Sequence, residues 1–265
     1  TVSSAIQGGG PNVTLNDDGT ITYAATAPGL RSLAEGASRT SSFTYTVADP
    51  EGAVSNSATA TVTINGINDA PVALADFATA EEGSAAVDIN VLSNDRDIDT
   101  DDTAASLTVI SATSAAGAKI SGIGVGGKNI SYNPTGVKIF EALSSGESLT
   151  DIVTYTIADS HGATAESTIT VAVLGSNSTP IAFPDTATVR EDGANVAIDV
   201  LANDTDADTS DMLRGLTVVS AESAAGATIT GIGVAGGSII YNPRDVEGFQ
   251  SLGVGETTTD TITYR

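Results

Sequence analysis

The chain has 265 residues and a formal net charge of −23, with 33 acidic against 10 basic side chains. That balance excludes nucleic acid as a partner, because phosphate binding needs Lys and Arg. It suits a cation-rich exterior, where bound metal or salt offsets self-repulsion. With no cysteine there is no disulfide framework, no thiol catalysis and no zinc–cysteine site. No apolar run approaches the roughly eighteen residues of a membrane helix, so no membrane insertion is expected. Thr, Ser, Val, Ile and Gly dominate and Trp is absent, the profile of β-strands joined by tight turns.

Self-comparison organises the chain. Leu92 and Leu201, Asp95 and Asp204, Gly117 and Gly226, Tyr132 and Tyr241, and Tyr155 and Tyr264 all stand 109 residues apart. Tyr23 to Tyr132 and Pro71 to Pro180 keep the same spacing, and Tyr45 to Tyr155 is 110. A period near 109 is one Ig-sized sandwich. The expected fold is therefore all-β, with Ig-like β-sandwich domains end to end. Residues 1–69 form a repeat whose N-terminal part is missing, 70–178 a complete repeat, and 179–265 a repeat whose C-terminal part is missing.

In the first repeat, strands are expected over 20–23, 42–47 and 59–64. Phe43, Tyr45 and Val47 alternate with Ser42, Thr44 and Thr46, and a period of two with one apolar face marks an antiparallel strand over a core. Asn65-Gly-Ile-Asn-Asp-Ala-Pro71 then reads as a linker. The second repeat predicts strands near 72–80, 86–92, 106–112, 117–121, 128–132, 151–158 and 164–174. Phe140 and Leu143, three apart, suggest a short helical turn plugging one end of the sandwich, and Phe249 and Leu252 repeat it. A second linker follows at 175–180, and the third repeat stops at Arg265, inside the strand that matches 151–157. The cut ends and the opening Thr1 read as a window on a longer polypeptide. The alternative is strand donation, in which other copies complete the sheets and join into a fibre.

Residues 94–102 read Asn-Asp-Arg-Asp-Ile-Asp-Thr-Asp-Asp, and residues 203–211 read Asn-Asp-Thr-Asp-Ala-Asp-Thr-Ser-Asp. Two carboxylates about 5 Å apart repel by roughly 1 kcal/mol in water and by several times that near a protein surface. Such a run is ordered only if a positive charge sits among its oxygens, and a hard divalent cation fits. Along a strand, residues i and i+2 lie roughly 6.5 Å apart, too far to share an ion, so the segment must curl for Asp95, Asp97 and Asp99 to converge. The expected calcium ligands are Asp95, Asp97, Asp99 and Asp102, with Asp204, Asp206, Asp208 and Asp211 in the next repeat. It is not an EF-hand loop: Thr100 stands where the turn glycine belongs, and Ser106 where the bidentate Glu belongs. A solvated acidic loop is the plain alternative.

Other motifs carry less. Gly122-Ile-Gly-Val-Gly-Gly127 and residues 231–236 fit a dinucleotide fingerprint, but an alternating strand follows rather than a helix, so both read as turns. His161, the only histidine, lies beside Ser160 and near Asp159; adjacent turn residues point apart, so no triad forms. Asp49 and Asp159 each precede a Gly-containing turn, as turn formers or as metal ligands near a domain junction. Asn68, Asp69 and Glu82 are expected to converge at the first junction, or Glu82 to sit in a merely charged turn. No constellation supports an enzyme.

The cycle Asn68-Asp69-Ala-Pro71, Glu191-Asp192-Gly193, Leu92 to Asp99, Gly146-Glu147 with Thr150-Asp151, and Thr154 to Asp159 resembles the cadherin-like and VCBS-type tandem repeats of large bacterial surface proteins, including RTX-type adhesins. That resemblance implies cadherin-like sandwiches acting as calcium-stiffened, non-enzymatic spacers outside the cell, in cell adhesion or a biofilm matrix, with neighbouring repeats as partners. A carbohydrate- or protein-binding sandwich is the alternative, for which exposed aromatics are the expected sign. Two departures bear on the second linker. Ser178 stands where the first linker has Asp69, and the second repeat has Glu82-Gly83 where the third has Glu191-Asp192-Gly193.

Overall fold

The computed structural model describes residues 2–7, 13–26, 28–124 and 126–265; Val125 of the first glycine-rich turn lies outside them. It is nearly all-β, 37% strand and 6% helix, in tandem sandwiches as the sequence implies. By contact the chain falls into two compact units. One comprises Thr1–Ala78, Ala86–Asn133 and Asp151–Val171, the other Thr79–Ala85, Pro134–Thr150 and Ala172–Arg265.

The first unit opens with β1 (Val2–Gln7), β2 (Val13–Leu15), β3 (Ile21–Tyr23), the short helix α1 (Pro28–Arg31), β4 (Ser38–Val47) and β5 (Ala58–Asn65). The order β1-β4-β5 makes an antiparallel sheet, and β2 pairs with β3. The core of this part is thin: Leu30, Ala34 and Phe43 are buried, and Phe43 packs between Tyr23 and Tyr45 at ring-centroid distances of 6.5 Å each. The chain continues through β6 (Asp76–Glu81), β7 (Val87–Ile89), β8 (Thr108–Ser114), β9 (Lys119–Ser121), β10 (Ile130–Asn133), β11 (Ser148–Ala158) and β12 (Thr164–Leu174). One sheet runs β6-β12-β11-β8 and another β7-β10-β9. Along β11, Asp151, Val153, Tyr155 and Ile157 are buried while Ile152 and Thr154 are exposed. Leu107, Val109, Ile130, Tyr132, Val153, Tyr155, Ile157, Ile169 and Val171 are wholly withdrawn from water. Burial of each aliphatic among them contributes about 1.5–3 kcal/mol.

The strand expected over 72–80 begins only at Asp76, for a definite reason. Val72 makes an isolated bridge with Arg96, and the Leu74 N–H donates to the Asp95 carboxylate at 2.7 Å, so neither joins a ladder.

The second unit holds α2 (Lys138–Glu141), β13 (Val196–Ile198), α3 (Thr209–Arg214), β14 (Ala221–Ser223), β15 (Thr228–Thr230), β16 (Ile239–Asn242) and β17 (Ile262–Tyr264). Strands β13, β16 and β15 form one sheet, and β14 pairs with β17. Val200, Val218 and Ile239 form one apolar cluster, and Ala227, Tyr241 and Val246 another, with Phe249 packed against the second. The expected helical turn is α2, with Phe140 fully buried. Its counterpart differs: residues 247–250 make only a turn, Gly248 standing where α2 has Ile139, and a 3-10 turn at Pro243–Asp245 precedes it. Glycine costs a helix about 1 kcal/mol, and Asn242 Oδ1 accepts from the Arg244 N–H to favour the tighter turn. Helix α3 was not expected from the acidic spacing.

Two columns of tyrosine are tied to carboxylates. The Tyr132 hydroxyl donates to Asp151 Oδ2 at 2.9 Å, and this carboxylate, 2% exposed, also accepts from Ser114 Oγ at 2.5 Å and the Ala116 N–H at 2.9 Å. Tyr241 and Asp260 repeat the arrangement with Ser223 and Ala225. In the first repeat Ser41 takes the place of that aspartate, and the buried Tyr23 hydroxyl has no partner. In the second column the Tyr155 hydroxyl lies 2.8 Å from both Asp76 Oδ2 and the Leu74 carbonyl; Tyr264 meets Asp185 and Phe183 in the same way.

Burial first, and then the adjacent carboxylate, pushes Tyr132, Tyr155 and Tyr241 far above the usual phenol range and Tyr264 up to about 12. Unfolded tyrosine ionises near pH 10, so the stability these groups contribute is complete below about pH 10 and is lost as pH rises through their higher folded values. Alkaline titration followed by phenolate absorbance and circular dichroism is expected to show these four tyrosines ionising together with unfolding, at pH 12 or above. Ionisation of all six near pH 10, with the strand signal intact, is the opposing result.

Candidate metal centres at the two linkers

Each linker is seated by a backbone contact that recurs a period later. The Thr100 N–H donates to the Ser32 carbonyl and the Thr209 N–H to the Ala142 carbonyl, both at 3.2 Å. A glycine fixes the approach at each place. A Cβ on Gly66 would lie 2.1 Å from the Ala34 carbonyl oxygen, and one on Gly175 would lie 2.4 Å from that of Ser144, inside any real contact. The linker glycines are thus a packing requirement, with the chain laid against the carbonyls that follow α1 and α2.

On these seats the acidic side chains adopt one pattern: one oxygen is held by a backbone N–H, the other is bare. At the first linker Asp97 Oδ1 accepts from the Asp99 N–H at 2.8 Å, Asp99 Oδ2 from the Asp69 N–H at 2.8 Å, and Asp102 Oδ1 from the Ser160 N–H at 3.0 Å. Asp97 Oδ2, Asp99 Oδ1, Asp102 Oδ2 and the amide oxygen of Asn68 are buried with no hydrogen-bond partner. Asn68 is oriented by its Nδ2, which donates to Asp159 Oδ2 at 2.9 Å. Asp159 is a turn former as well, since its Oδ1 accepts from the N–H groups of His161, Gly162 and Ala163 at 2.6–2.9 Å. Asp49 plays only the turn part, accepting from the Ala53 N–H at 2.7 Å.

The second linker repeats the pattern with two new members. The Ser178 N–H donates to Asp208 Oδ2 at 3.0 Å, and Asp206 Oδ1 accepts from the Asp208 N–H at 2.8 Å, leaving Asp208 Oδ1 buried and bare. Asp208 occupies the N-cap position of α3 without capping it, because its carboxylate is turned to the linker. Oxygens of Asp206, Asp208 and Asp211 lie within 4.8 Å of one another. Glu82, 6% exposed, accepts at Oε1 from the Ser176 N–H at 3.1 Å, and its Oε2 is bare. Ser144 and Ser210 meet at 2.5 Å through their hydroxyls.

This corrects the expected place of Glu82. It does not join Asn68 and Asp69; it belongs to the second linker, where its N–H donates to the Leu174 carbonyl at 3.0 Å. It follows β6, six residues of extended chain spanning about 20 Å, which the sequence pattern does not turn into a direction. Asp69 also differs from expectation: its side chain is exposed, and its main-chain N–H is what holds Asp99. Ser178 keeps that donor. Asp95 is not among the charges that raise Asp97, whereas Asp204 lines one cleft with Asp206 and Asp211. Asp95 Oδ1 is keyed to Leu74 and its charge is felt by Tyr155; Asp204 is keyed to Phe183 at 2.7 Å and its charge by Tyr264. Missed by the spacing were Ser176, Ser144 and Ser210, and the one available signal was the recurrence of small polar residues beside the linker glycine.

The electrostatics follow. Burial above all raises Asp97, with the charges of Asp99, Asp102 and Asp159 adding to it; burial likewise raises Asp95, and Glu82 beside Asp208 and Glu141. Burial works to raise Asp102, but the hydrogen bonds of Ser160, with Ser106 and the His161 ring close by, outweigh it and leave the group lowered. The arrangement offers several bare, mostly anionic oxygens and no donor to fill them, which is the chemistry of a hard cation site.

Fold and linker sites together define a tandem β-sandwich protein with acidic junctions. Residues 68–175 match the bacterial cadherin-like domain family, and residues 1–65 and 177–265 match the bacterial Ig domain family. The second match covers more than half of the chain, which therefore belongs to the bacterial Ig domain family, with a cadherin-like domain between its two Ig segments. No curated protein matches the chain. Among solved structures it is similar to the extracellular cadherin domains 1–5 of protocadherin gamma B2 (11% identity, 100% of this chain and 52% of that one, TM-score 0.41). Drosophila N-cadherin EC1–4 (12%, 99% and 65%, 0.41) and mouse protocadherin-24 EC1–3 (18%, 88% and 75%, 0.41) are similar too. The chain spans about half the length of the gamma B2 chain. Domains of these two families are typically non-enzymatic, and cadherin-like domains are in general extracellular and calcium-binding. No helix among the described residues is long and apolar enough to cross a membrane.

The raised groups set a pH dependence. A carboxylate whose folded pKa is raised contributes stability that is complete below its unfolded value, near pH 4, and is lost as pH rises through the folded value. Without metal, the aspartate at position 97 is therefore a liability at neutral pH. Asp97→Asn is expected to raise the metal-free melting midpoint at pH 7 by roughly 2–4 °C, while abolishing most of the rise produced by calcium. Calorimetry with EDTA and with calcium, on both proteins, checks both halves.

Proposed function

We propose that the chain is a stretch of calcium-stiffened extender repeats, 1–69, 70–178 and 179–265, from a large bacterial surface or secreted adhesin of the VCBS or RTX type. The observation that carries this reading is the set of buried, bare oxygens on both linkers, each belonging to a side chain already oriented by a hydrogen bond. Asn68 Oδ1, Asp97, Asp99, Asp102 and Asp159 hold calcium at the first linker, with Asp69 supplying the amide that orients Asp99; Glu82, Asp206, Asp208 and Asp211 hold it at the second. Asp95 and Asp204 clamp the start of each loop to the residues after the linker. Bound calcium relieves the repulsion and fixes each linker on its seat. Ser178 does not weaken the second linker, because the donor there is main-chain. The sites are of the extracellular class, with affinities of roughly 10⁻⁴ to 10⁻³ M.

Hydrogen exchange at the Asp69 and Ser178 amides tests this directly, since both donate to acidic side chains of the sites. Millimolar calcium is expected to slow both by tenfold or more relative to EDTA. Unchanged exchange at both, in a folded chain, sinks the reading.

A second reading, a ligand-binding module for biofilm carbohydrate or protein, has one observation behind it. Phe77 is 79% exposed on β6, an edge strand, and its counterpart in the third repeat is Thr186. On that reading Phe77→Ser removes binding on a glycan array without changing the calcium-dependent melting midpoint.

A further inference from the structure

His161 sits where the first repeat carries Glu51, in the turn that Asp159 organises. Its imidazole lies between two carboxylates: Nε2 is 3.7 Å from Asp101 Oδ2, and Nδ1 is 3.5 Å from Asp102 Oδ2. Both distances are long for a hydrogen bond, whose usual value is near 2.9 Å. They belong to opposite ring nitrogens, of which one ion takes only one; the Nδ1–Asp102 Oδ2 separation approaches the edge of a tetrahedron of ligands about 2.1 Å from zinc, roughly 3.4 Å. Asp102 is 3% exposed, its Oδ1 is taken by the Ser160 N–H, and its Oδ2, the atom facing the ring, has no hydrogen-bond partner. One oxygen of each aspartate and one ring nitrogen lie within 4.8 Å of one another. Asp101 is 42% exposed and the ring 27%, so the position is open to an ion from solvent. Ser160 Oγ, 3.1 Å from Nδ1, and the charge of Glu35 complete the surroundings.

The donor set differs in kind from the linker sites. Those present oxygens alone, which suit calcium; this one adds an imidazole, which calcium does not favour and late first-row cations do. A neutral imidazole also has a lone pair on one nitrogen, which here faces a carboxylate; a cation on that nitrogen turns the repulsion into shared coordination.

We propose that Asp101, Asp102 and His161 form a second, distinct metal site in the middle repeat, selective for zinc or a similar divalent transition metal. Water completes its coordination, and Asp102 Oδ2, the same oxygen left bare toward the first linker, is shared between the two sites. The site does not depend on the calcium reading, because its ligands are oriented by the turn of residues 159–163.

Zinc is titrated calorimetrically into the full chain saturated with calcium, and cobalt is used as the visible-absorbing substitute. One equivalent is expected to bind, with the intense d–d absorption of tetrahedral cobalt. His161→Gln is expected to weaken zinc binding at least tenfold, and Asp101→Asn several-fold, with calcium affinity unchanged in both. Absence of zinc uptake by the calcium-saturated wild type overturns the proposal. Equal zinc affinity in His161→Gln overturns it as well, as does zinc uptake matched by calcium release, which marks competition for the linker oxygens. Failure of the wild type to bind calcium at all would instead strike the extender reading, and zinc binding lost with His161 would still uphold this site.

Discussion

A linker N–H that grips one oxygen of an aspartate and leaves the other bare is the contact on which the rest of this structure turns. Asp69 does this to Asp99, and Ser178 to Asp208. A buried carboxylate oxygen without a partner costs on the order of several kcal/mol when charged. Here three lie beside the first linker, on Asp97, Asp99 and Asp102, and two beside the second, on Glu82 and Asp208. Hydrogen bonding of the first oxygen removes the rotational freedom by which the side chain would escape to water. The residue is left with protonation or a cation as its means of relief. The acidic loops are therefore oriented in advance, and their repulsion is held in a form that metal binding releases.

Main-chain donors also explain how two linkers of different sequence do the same work. Ile67-Asn-Asp69 and Ser176-Asn-Ser178 share little, yet the amide at the third position points to the same aspartate a period apart. The Thr100–Ser32 and Thr209–Ala142 contacts and the two side-chain-free glycines are likewise properties of the backbone. The linker contacts thus depend on small size and chain direction more than on the charge of its side chains.

Fold class and most strand positions were legible in the sequence, because strict alternation of apolar and polar residues is a direct image of a sandwich strand. The acidic loops were legible as well, since charges at every second position have few other uses. Which acid goes where was not. Asp95 and Asp97 look alike in the alternation, but one is drawn away by the Leu74 N–H while the other stays with Asp99 and Asp102. Glu82 lies at the other linker from the one its neighbours in sequence suggest, because charge pattern carries no information about which end of a strand a loop occupies. His161 read as a plain turn residue, and only its distances to Asp101 and Asp102 set it apart.

The middle repeat gives Asp97, Asp99, Asp102 and Asp159 to one linker and Glu82 to the other. On the proposed reading neither site is held by one repeat alone: the first joins Asn68 to the acids of the middle repeat, and the second joins Glu82 to Asp206, Asp208 and Asp211. Recombination that adds or deletes a whole period, wherever the breakpoint falls, joins a matched pair of halves. Recombination out of phase strands carboxylates that no neighbour completes.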